Sequence, residues 1–386
     1  MKNLLILLAL LASQGPHLSF SLMAPSPPAV AKTNGLSTTL VSPDTSQITE
    51  QACIDTANRM QRLSVPVSTN IHPSGQVGIS FAHWPAQKKS KAPPIFLIHG
   101  FDSSCLEYRR LGSRLAERGI DTYAVDLLGW GYTQLDGVTS FSANAKVEAL
   151  SNFIATILGN DDKAPFCIAG ASLGGAAAIE VAAAQCDKNC QGLVLLDAQG
   201  FVDGIGPMAK MPKPLAQVGV QVLKSVPLRS SANQMSYFDK ETFATDEAVV
   251  VGRLHCLRDG WSEALVSFMQ SGGFAPSTKV PTITAPSLVL WGRQDGILDG
   301  TEFANKFVET LGGETQLQWI EECGHVPHLE KPDETADAIA AFVQERVTSP
   351  SATPDGSRSN TQFLAATGLA GATALAALAS DWIPFH

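Results

Sequence analysis

Phe166-Cys167-Ile168-Ala169-Gly170-Ala171-Ser172-Leu173-Gly174-Gly175 runs from a short apolar segment through G-x-S-x-G into an alanine-rich helical pattern that reaches Cys186. The order is strand, sharp turn, helix, with a serine at the turn, the nucleophile-elbow arrangement. The glycines have a steric purpose. Side chains beside so tight a turn would collide with it, and Gly174 and Gly175 let the helix approach closely. Ser172 is then held in a strained backbone conformation with Oγ presented to a cleft. A helix N-terminus also supplies unpaired N–H donors and a positive dipole end where an oxyanion can develop.

Outward from this turn the pattern repeats. Ile95–Ile98, Thr122–Leu127, Leu193–Ala198, Leu288–Trp291 and Leu317–Ile320 are short continuous apolar runs. Runs of this kind are expected of parallel strands buried on both faces. Helical patterns lie between them at Leu106–Arg118, Phe141–Leu158, Leu173–Cys186, Glu302–Leu311 and Pro332–Val347. The last starts well, with Pro332 in its first turn and Asp333 and Glu334 beside it. Alternating strand and helix predicts an α/β fold with a parallel sheet, and Gln76–His83 adds an earlier, edge-like strand. The regularity lapses from Phe201 to Val280, where Met, Lys and Pro interrupt short helices such as Lys240–Leu257. About eighty residues is too long for an ordinary loop, so this segment is read as an inserted lid.

A serine hydroxyl near neutral pH needs a base within hydrogen-bond reach and a third group to orient that base. Both follow Ser172 in chain order. Trp291-Gly292-Arg293-Gln294-Asp295 places Asp295 at the carboxyl end of a strand, and Gly324-His325 places His325 on the loop after the next. His325 would take the Ser172 proton and return it to the leaving group, while Asp295 fixes the imidazole tautomer. Asp197, one strand earlier, is the rival carboxylate. The loop after Ile95–Ile98 carries His99-Gly100-Phe101, and the backbone N–H groups of Phe101 and Leu173 are assigned to the oxyanion hole. His99 itself is read as a brace for this loop. His325, His328 and Glu330 lack the helical H-E-x-x-H spacing, so no metal or cofactor is assigned, and His328 and Glu330 are read as supports of the His325 loop.

Five motifs in order, Ile98-His-Gly-Phe-Asp-Ser-Ser104, Asp126-Leu-Leu-Gly-Trp-Gly-Tyr-Thr133, Gly170-Ala-Ser-Leu-Gly174, Trp291-Gly-Arg-Gln-Asp295 and Gly324-His-Val-Pro-His-Leu-Glu-Lys-Pro332, resemble the α/β-hydrolase superfamily of serine-hydrolase type over residues 66 to 348. The resemblance implies a mostly parallel central sheet flanked by helices, with an inserted helical lid. In wording, His99–Arg109 and Asp126–Thr133 look most like plant and algal plastid members, a branch that includes enzymes removing phytol from chlorophyll derivatives. Thr133 stands where many relatives carry Ser. Relatives that open epoxides or remove halide use Asp at the elbow, where this chain has Ser172. The epoxide-opening ones also use paired lid tyrosines, and residues 201–280 hold only Tyr237.

The whole chain has 386 residues, 45% hydrophobic and 16% charged, a formal charge of −9 and a mean hydropathy of +0.08, which argues against disorder and gives no electrostatic reason to bind nucleic acid. Seven cysteines form neither a disulfide scaffold nor a C-x-x-C pattern, and Cys186 and Cys190 are the one close pair. Leu4–Ala12 suits a signal-peptide core, and Ser13–Pro43 contains only Lys32 as a formal charge. Together they resemble the two-part plastid presequences of algae with complex plastids, with plain secretion as the alternative. Residues 1–50 are therefore read as targeting segment and linker, 51–200 and 281–348 as sheet domain, 201–280 as lid, and 349–362 as linker. Residues 363–386 contain an uncharged stretch, 363–379, read as a membrane anchor with an alanine-rich surface helix as the alternative. The expected substrate is an apolar small-molecule ester, favoured by the apolar side chains of the lid. Acyl transfer or carbon-carbon bond hydrolysis on the same residues, and a low-turnover ligand-binding receptor, are the alternatives.

Overall fold

The structure is a computed structural model and describes residues 30–33, 35–185 and 188–348. In chain order the main elements are β1 Val30–Thr33, β2 Leu36–Leu40, α1 Gln51–Asn58, β3 Met60–Pro66, β4 Gln76–Trp84, β5 Ile95–Ile98, α2 Leu111–Glu117, β6 Thr122–Val125, α3 Ala143–Ile157, β7 Phe166–Ala171, α4 Leu173–Gln185 and β8 Cys190–Leu196. The insertion follows with α5 Lys213–Leu223, α6 Val226–Ser236, α7 Asp246–Arg253 and α8 Trp261–Gln270. The chain then returns through β9 Ser287–Gly292, α9 Gly300–Thr310, β10 Thr315–Ile320 and α10 Pro332–Phe342.

These strands form one sheet in the order β1-β2-β3-β4-β6-β5-β7-β8-β9-β10. Pairing is antiparallel from β1 through the β4–β6 contact and parallel from there to β10. All residues of β5, β6, β7 and β9 are buried, as continuous apolar runs require. Alternate residues feed two cores, one on each face: Phe96 and Ile98 of β5 join the first, Ile95 and Leu97 the second. The chain runs from β5 to β6 on one side and then crosses to β7 on the other. That reversal opens a crevice at the strands' carboxyl ends, where ligand sites of open α/β sheets form.

The structure departs from the sequence reading at four places. β4 is internal, flanked by β3 and β6, because its run Val77–Ala82 is buried throughout. Residues 36–40, assigned by composition to a linker, pair with β3 through Thr39–Arg62 and Leu40–Gln61. A segment too polar for its own core can join a sheet edge, where backbone groups find partners. The helix expected at Leu106–Arg118 divides into a turn at Cys105–Tyr108 and α2. The helix expected at Lys240–Leu257 breaks where Thr245 caps α7 by accepting from the Ala248 N–H at 3.1 Å. Among the described residues no helix is long and apolar enough to cross a membrane. The readings on residues 1–29, 349–362 and 363–386, and the Cys186–Cys190 pair, lie outside the described residues.

In the insertion, α8 buries Trp261, Ala264, Leu265, Phe268 and Met269, a single apolar face at helical spacing. Tyr237 and Phe274 are also buried, Phe201 packs on Phe307, and Phe243 stacks on Tyr237, so most of the lid aromatics serve packing.

Two glycine substitutions test this architecture. A Cβ at Gly174 would lie 2.1 Å from the Ile98 carbonyl oxygen and 2.4 Å from that of His99. Both obstacles are backbone, so Gly174→Ala is expected to cost at least about 1–3 kcal/mol and lower Tm by several degrees, measured by calorimetry. Gly219, inside α5 with no atom within 4 Å of such a Cβ, provides the opposite case. Gly219→Ala should hold or raise Tm, since Ala favours a helix by up to about 1 kcal/mol.

Candidate active site

Ser172 sits between β7 and α4 with φ of 50°, in the left-handed region. For a non-glycine residue this costs about 1–2 kcal/mol, and surrounding bonds hold it. The Ser172 N–H donates to the Leu196 carbonyl at 3.0 Å, and its own carbonyl accepts from Gly175 and Gln199 at 2.9 and 2.8 Å. Gly170 is required beneath it, since a Cβ there would be 2.2 Å from the Gly174 carbonyl oxygen. The Gly100 backbone packs against the nucleophile, with its Cβ direction 3.5 Å from Ser172 Cβ. Phe101 follows Gly100 on its loop, and Leu173, next to Ser172 and first in its helix, has no intrahelical acceptor for its N–H.

His325 is buried on the loop after β10, and its Nδ1 lies 2.8 Å from Asp295 Oδ2. The other Asp295 oxygen accepts from the N–H groups of Ile297 and Leu298 at 2.7 and 3.0 Å. Burial opposes ionisation of Asp295, but the His325 hydrogen bond and charge and these two N–H groups outweigh it, so its pKa falls below the ordinary carboxylate value. Asp197 lies beside this pair without joining it. Its φ is 43°, Oδ1 accepts from the Gly292 N–H at 2.9 Å, and Oδ2 has no hydrogen-bond partner. Burial and the neighbouring Asp295 charge push its pKa well above the ordinary value. Thus Asp295 is the carboxylate on His325, and Asp197 stands behind it with its protonated form favoured. No hydrogen bond joins Ser172 Oγ to His325 among the described residues. In sites without substrate this contact is commonly long.

The supporting residues are placed as their chemistry suggests. His99 is buried, its Nδ1 2.9 Å from the Gly100 carbonyl and its Nε2 3.1 Å from the Leu127 N–H, so it braces the loop. Glu330 accepts from Gly324 at 2.8 Å and from Phe238 and Asp239 at 3.2 and 2.6 Å, tying the His325 loop to the insertion. His328 lies 3.1 Å from Glu107, whose carboxylate accepts the Gly100 N–H at 3.2 Å. Burial works against the Glu107 charge, but His328 and His99 hold its pKa down to about 2. Sequence reasoning did not find Glu107 or Asp102. Their only signal was two acids within nine residues of the end of the strand Ile95–Ile98.

Comparison with known proteins bears on the family and the fold. Residues 95–338 match the model of the Alpha/beta hydrolase family. The chain is 31% identical over 291 residues, 75% of its length and 86% of the relative's, to alpha/beta hydrolase domain-containing protein VTE7 of Arabidopsis thaliana. It is 27% identical over 258 residues to Lipase 1 of Psychrobacter immobilis, covering 64% of this chain and 76% of that protein. Among solved structures, a thermophilic esterase from Thermogutta terrifontis superposes with a TM-score of 0.59 at 20% identity, covering 75% of this chain and 100% of that one. With its mostly parallel sheet, its elbow serine and a family match across both, the chain belongs to the alpha/beta hydrolase family.

Proposed function

We propose that the chain is a serine hydrolase that cleaves an ester of an apolar acid or alcohol, lipid- or pigment-like, through an acyl-enzyme. The observation that carries this reading is Ser172 in a left-handed turn at a helix N-terminus, followed in the chain by an Asp295–His325 pair 2.8 Å apart. His325 Nε2 removes the Ser172 proton as Oγ bonds to the acyl carbon, and the carbonyl electron pair moves onto oxygen. The N–H groups of Phe101 and Leu173 meet that charge. As the intermediate collapses, the carbon-oxygen bond to the alcohol breaks and the alkoxide takes the proton from His325. Water then repeats the sequence, releasing the acid and restoring Ser172. Asp295, ionised because of its partners, holds the Nδ1 proton throughout.

Apolar substrates are favoured by the rim. Phe101, Ile297, Met235 and Phe238 are 38%, 43%, 54% and 46% exposed, and each comes from or adjoins a segment bearing a site residue. A relative named as a lipase points the same way. The N-terminal signal-like segment together with a plant relative favours a plastid location, with attachment through residues 363–379.

A fluorophosphonate probe should label the wild-type chain and leave Ser172→Ala unlabelled; equal labelling of both removes the proposal. Asp295→Asn, which favours the wrong imidazole tautomer, should lower kcat by on the order of 10,000-fold with little change in Tm. Asp197 has a pH signature of its own. Folded, it keeps a proton that the unfolded chain loses above the ordinary aspartate value of 3.8, so stability falls as pH rises from there toward the raised folded value. Asn carries no such linkage and still accepts from Gly292 while donating toward Asp295. Melting curves should therefore show Asp197→Asn gaining on wild type from pH 4 to pH 7.

A further inference from the structure

Asp102 directly follows Phe101, takes no part in the chemistry above, and is 1% exposed with φ of 46°. Its carboxylate is surrounded by donors that all belong to the insertion. Arg229 of α6 pairs with Oδ2 and also donates to the Asp102 carbonyl at 3.1 Å. His255 Nε2 lies 3.1 Å from Oδ1, Trp261 Nε1 donates to the same oxygen at 2.8 Å, and Cys256 Sγ is 3.7 Å from Oδ2. Three separate segments, α6, the turn Leu254–Leu257 and the start of α8, thus converge on one carboxylate of the core. Asp102, His255 and Cys256 also have the spacing of metal ligands. The Arg229 guanidinium decides against that use, because it bonds both Asp102 and, at 3.1 Å, Cys256, and so fills the position of a cation.

On the hydrolase reading given above, we propose that Asp102 is a positioning residue: its ion pair with Arg229, supported by Trp261 and His255, sets the Phe101 N–H in the oxyanion hole. The hole is then complete only with the insertion seated. The loop is held at two neighbouring points, by Glu107 at the Gly100 N–H (3.2 Å) and by the insertion at Asp102. Phe101 is the residue between them, its ring on Trp130 with 5.5 Å between centroids. The left-handed conformation of Asp102 is strained, and the charge-assisted hydrogen bonds to its carboxylate offset that strain. Without the clamp the backbone relaxes toward negative φ, which turns the adjoining peptide and shifts an N–H whose aim matters to a fraction of an ångström.

The test uses the full-length chain as wild type, Arg229→Met, Arg229→Lys and Trp261→Phe. Three quantities are measured: the second-order rate of fluorophosphonate labelling at Ser172, kcat and KM for p-nitrophenyl butyrate and its thiono ester, and Tm. Sulfur is a poor acceptor in an oxyanion hole, so the oxo-to-thiono ratio of kcat/KM reports on the hole itself. Arg229→Met is expected to slow labelling and lower kcat by about 10- to 100-fold, with KM within about threefold and the oxo-to-thiono ratio reduced. Arg229→Lys should recover part of the loss. Trp261→Phe, which deletes only one donor, should show the same change on a smaller scale and remains informative if Arg229→Met does not fold. A folded variant whose labelling rate and oxo-to-thiono ratio match wild type overturns the proposal. Labelling of wild type that persists in Ser172→Ala overturns the hydrolase reading instead, so the two failures are distinct.

Discussion

The close approach of α4 to β5 is the constraint on which the rest depends. At Gly174 the helix backbone is so near the carbonyls of Ile98 and His99 that no side chain fits between them. That proximity brings the first turn of one helix against the loop after a neighbouring strand. The same turn holds Ser172 in a left-handed conformation, with the Gly100 backbone packed against it. The sheet order makes the approach available, because β5 and β7 are neighbours on either side of the topological reversal.

Around this point, buried carboxylates join the loops to one another. Each has a different charge state or partner set by its surroundings. The Asp295 pKa is lowered because His325 and two backbone N–H groups outweigh its burial, whereas that of Asp197 is raised because it is buried beside the Asp295 charge with, among the described residues, the Gly292 N–H as its donor. Glu107 links the Gly100 loop to His328, and Glu330 links the His325 loop to the insertion. Asp102 is held below the ordinary carboxylate range although burial opposes it, because His255, Arg229 and Trp261 all donate to it. Loops held by charge in a low-dielectric interior are costly to break one side at a time, and such ties keep reactive groups in register.

The insertion is structural support as much as cover. Its backbone holds His325 directly, through the Ser236 carbonyl at 2.7 Å, and its side chains enclose Asp102. The insertion is therefore part of what fixes the His325 loop and the loop that carries Asp102.

The alternation of short apolar runs with helical patterns, and G-x-S-x-G at one junction, were enough to place β5 to β10, the elbow and the order Ser172, Asp295, His325. Those signals are local: a strand buried on both faces is apolar throughout, and a strand-to-helix turn this tight needs glycine. The strand at Leu36–Leu40 was illegible because its stability comes from backbone pairing with Val30–Thr33 and Met60–Pro66, not from its own side chains. The sequence already set Asp295 ahead of its rival Asp197, but the clustering of Arg229, His255 and Trp261 on Asp102 required the tertiary structure. Arg229 lies 127 residues from Asp102, and no periodicity or motif encodes a contact made across that distance. Sequence by itself singled out the elbow serine and the residues proposed to act with it, because that follows from residue type and local backbone. Only the fold decided which carboxylates are charged and which loops they hold, because burial and charge partners come from distant parts of the chain.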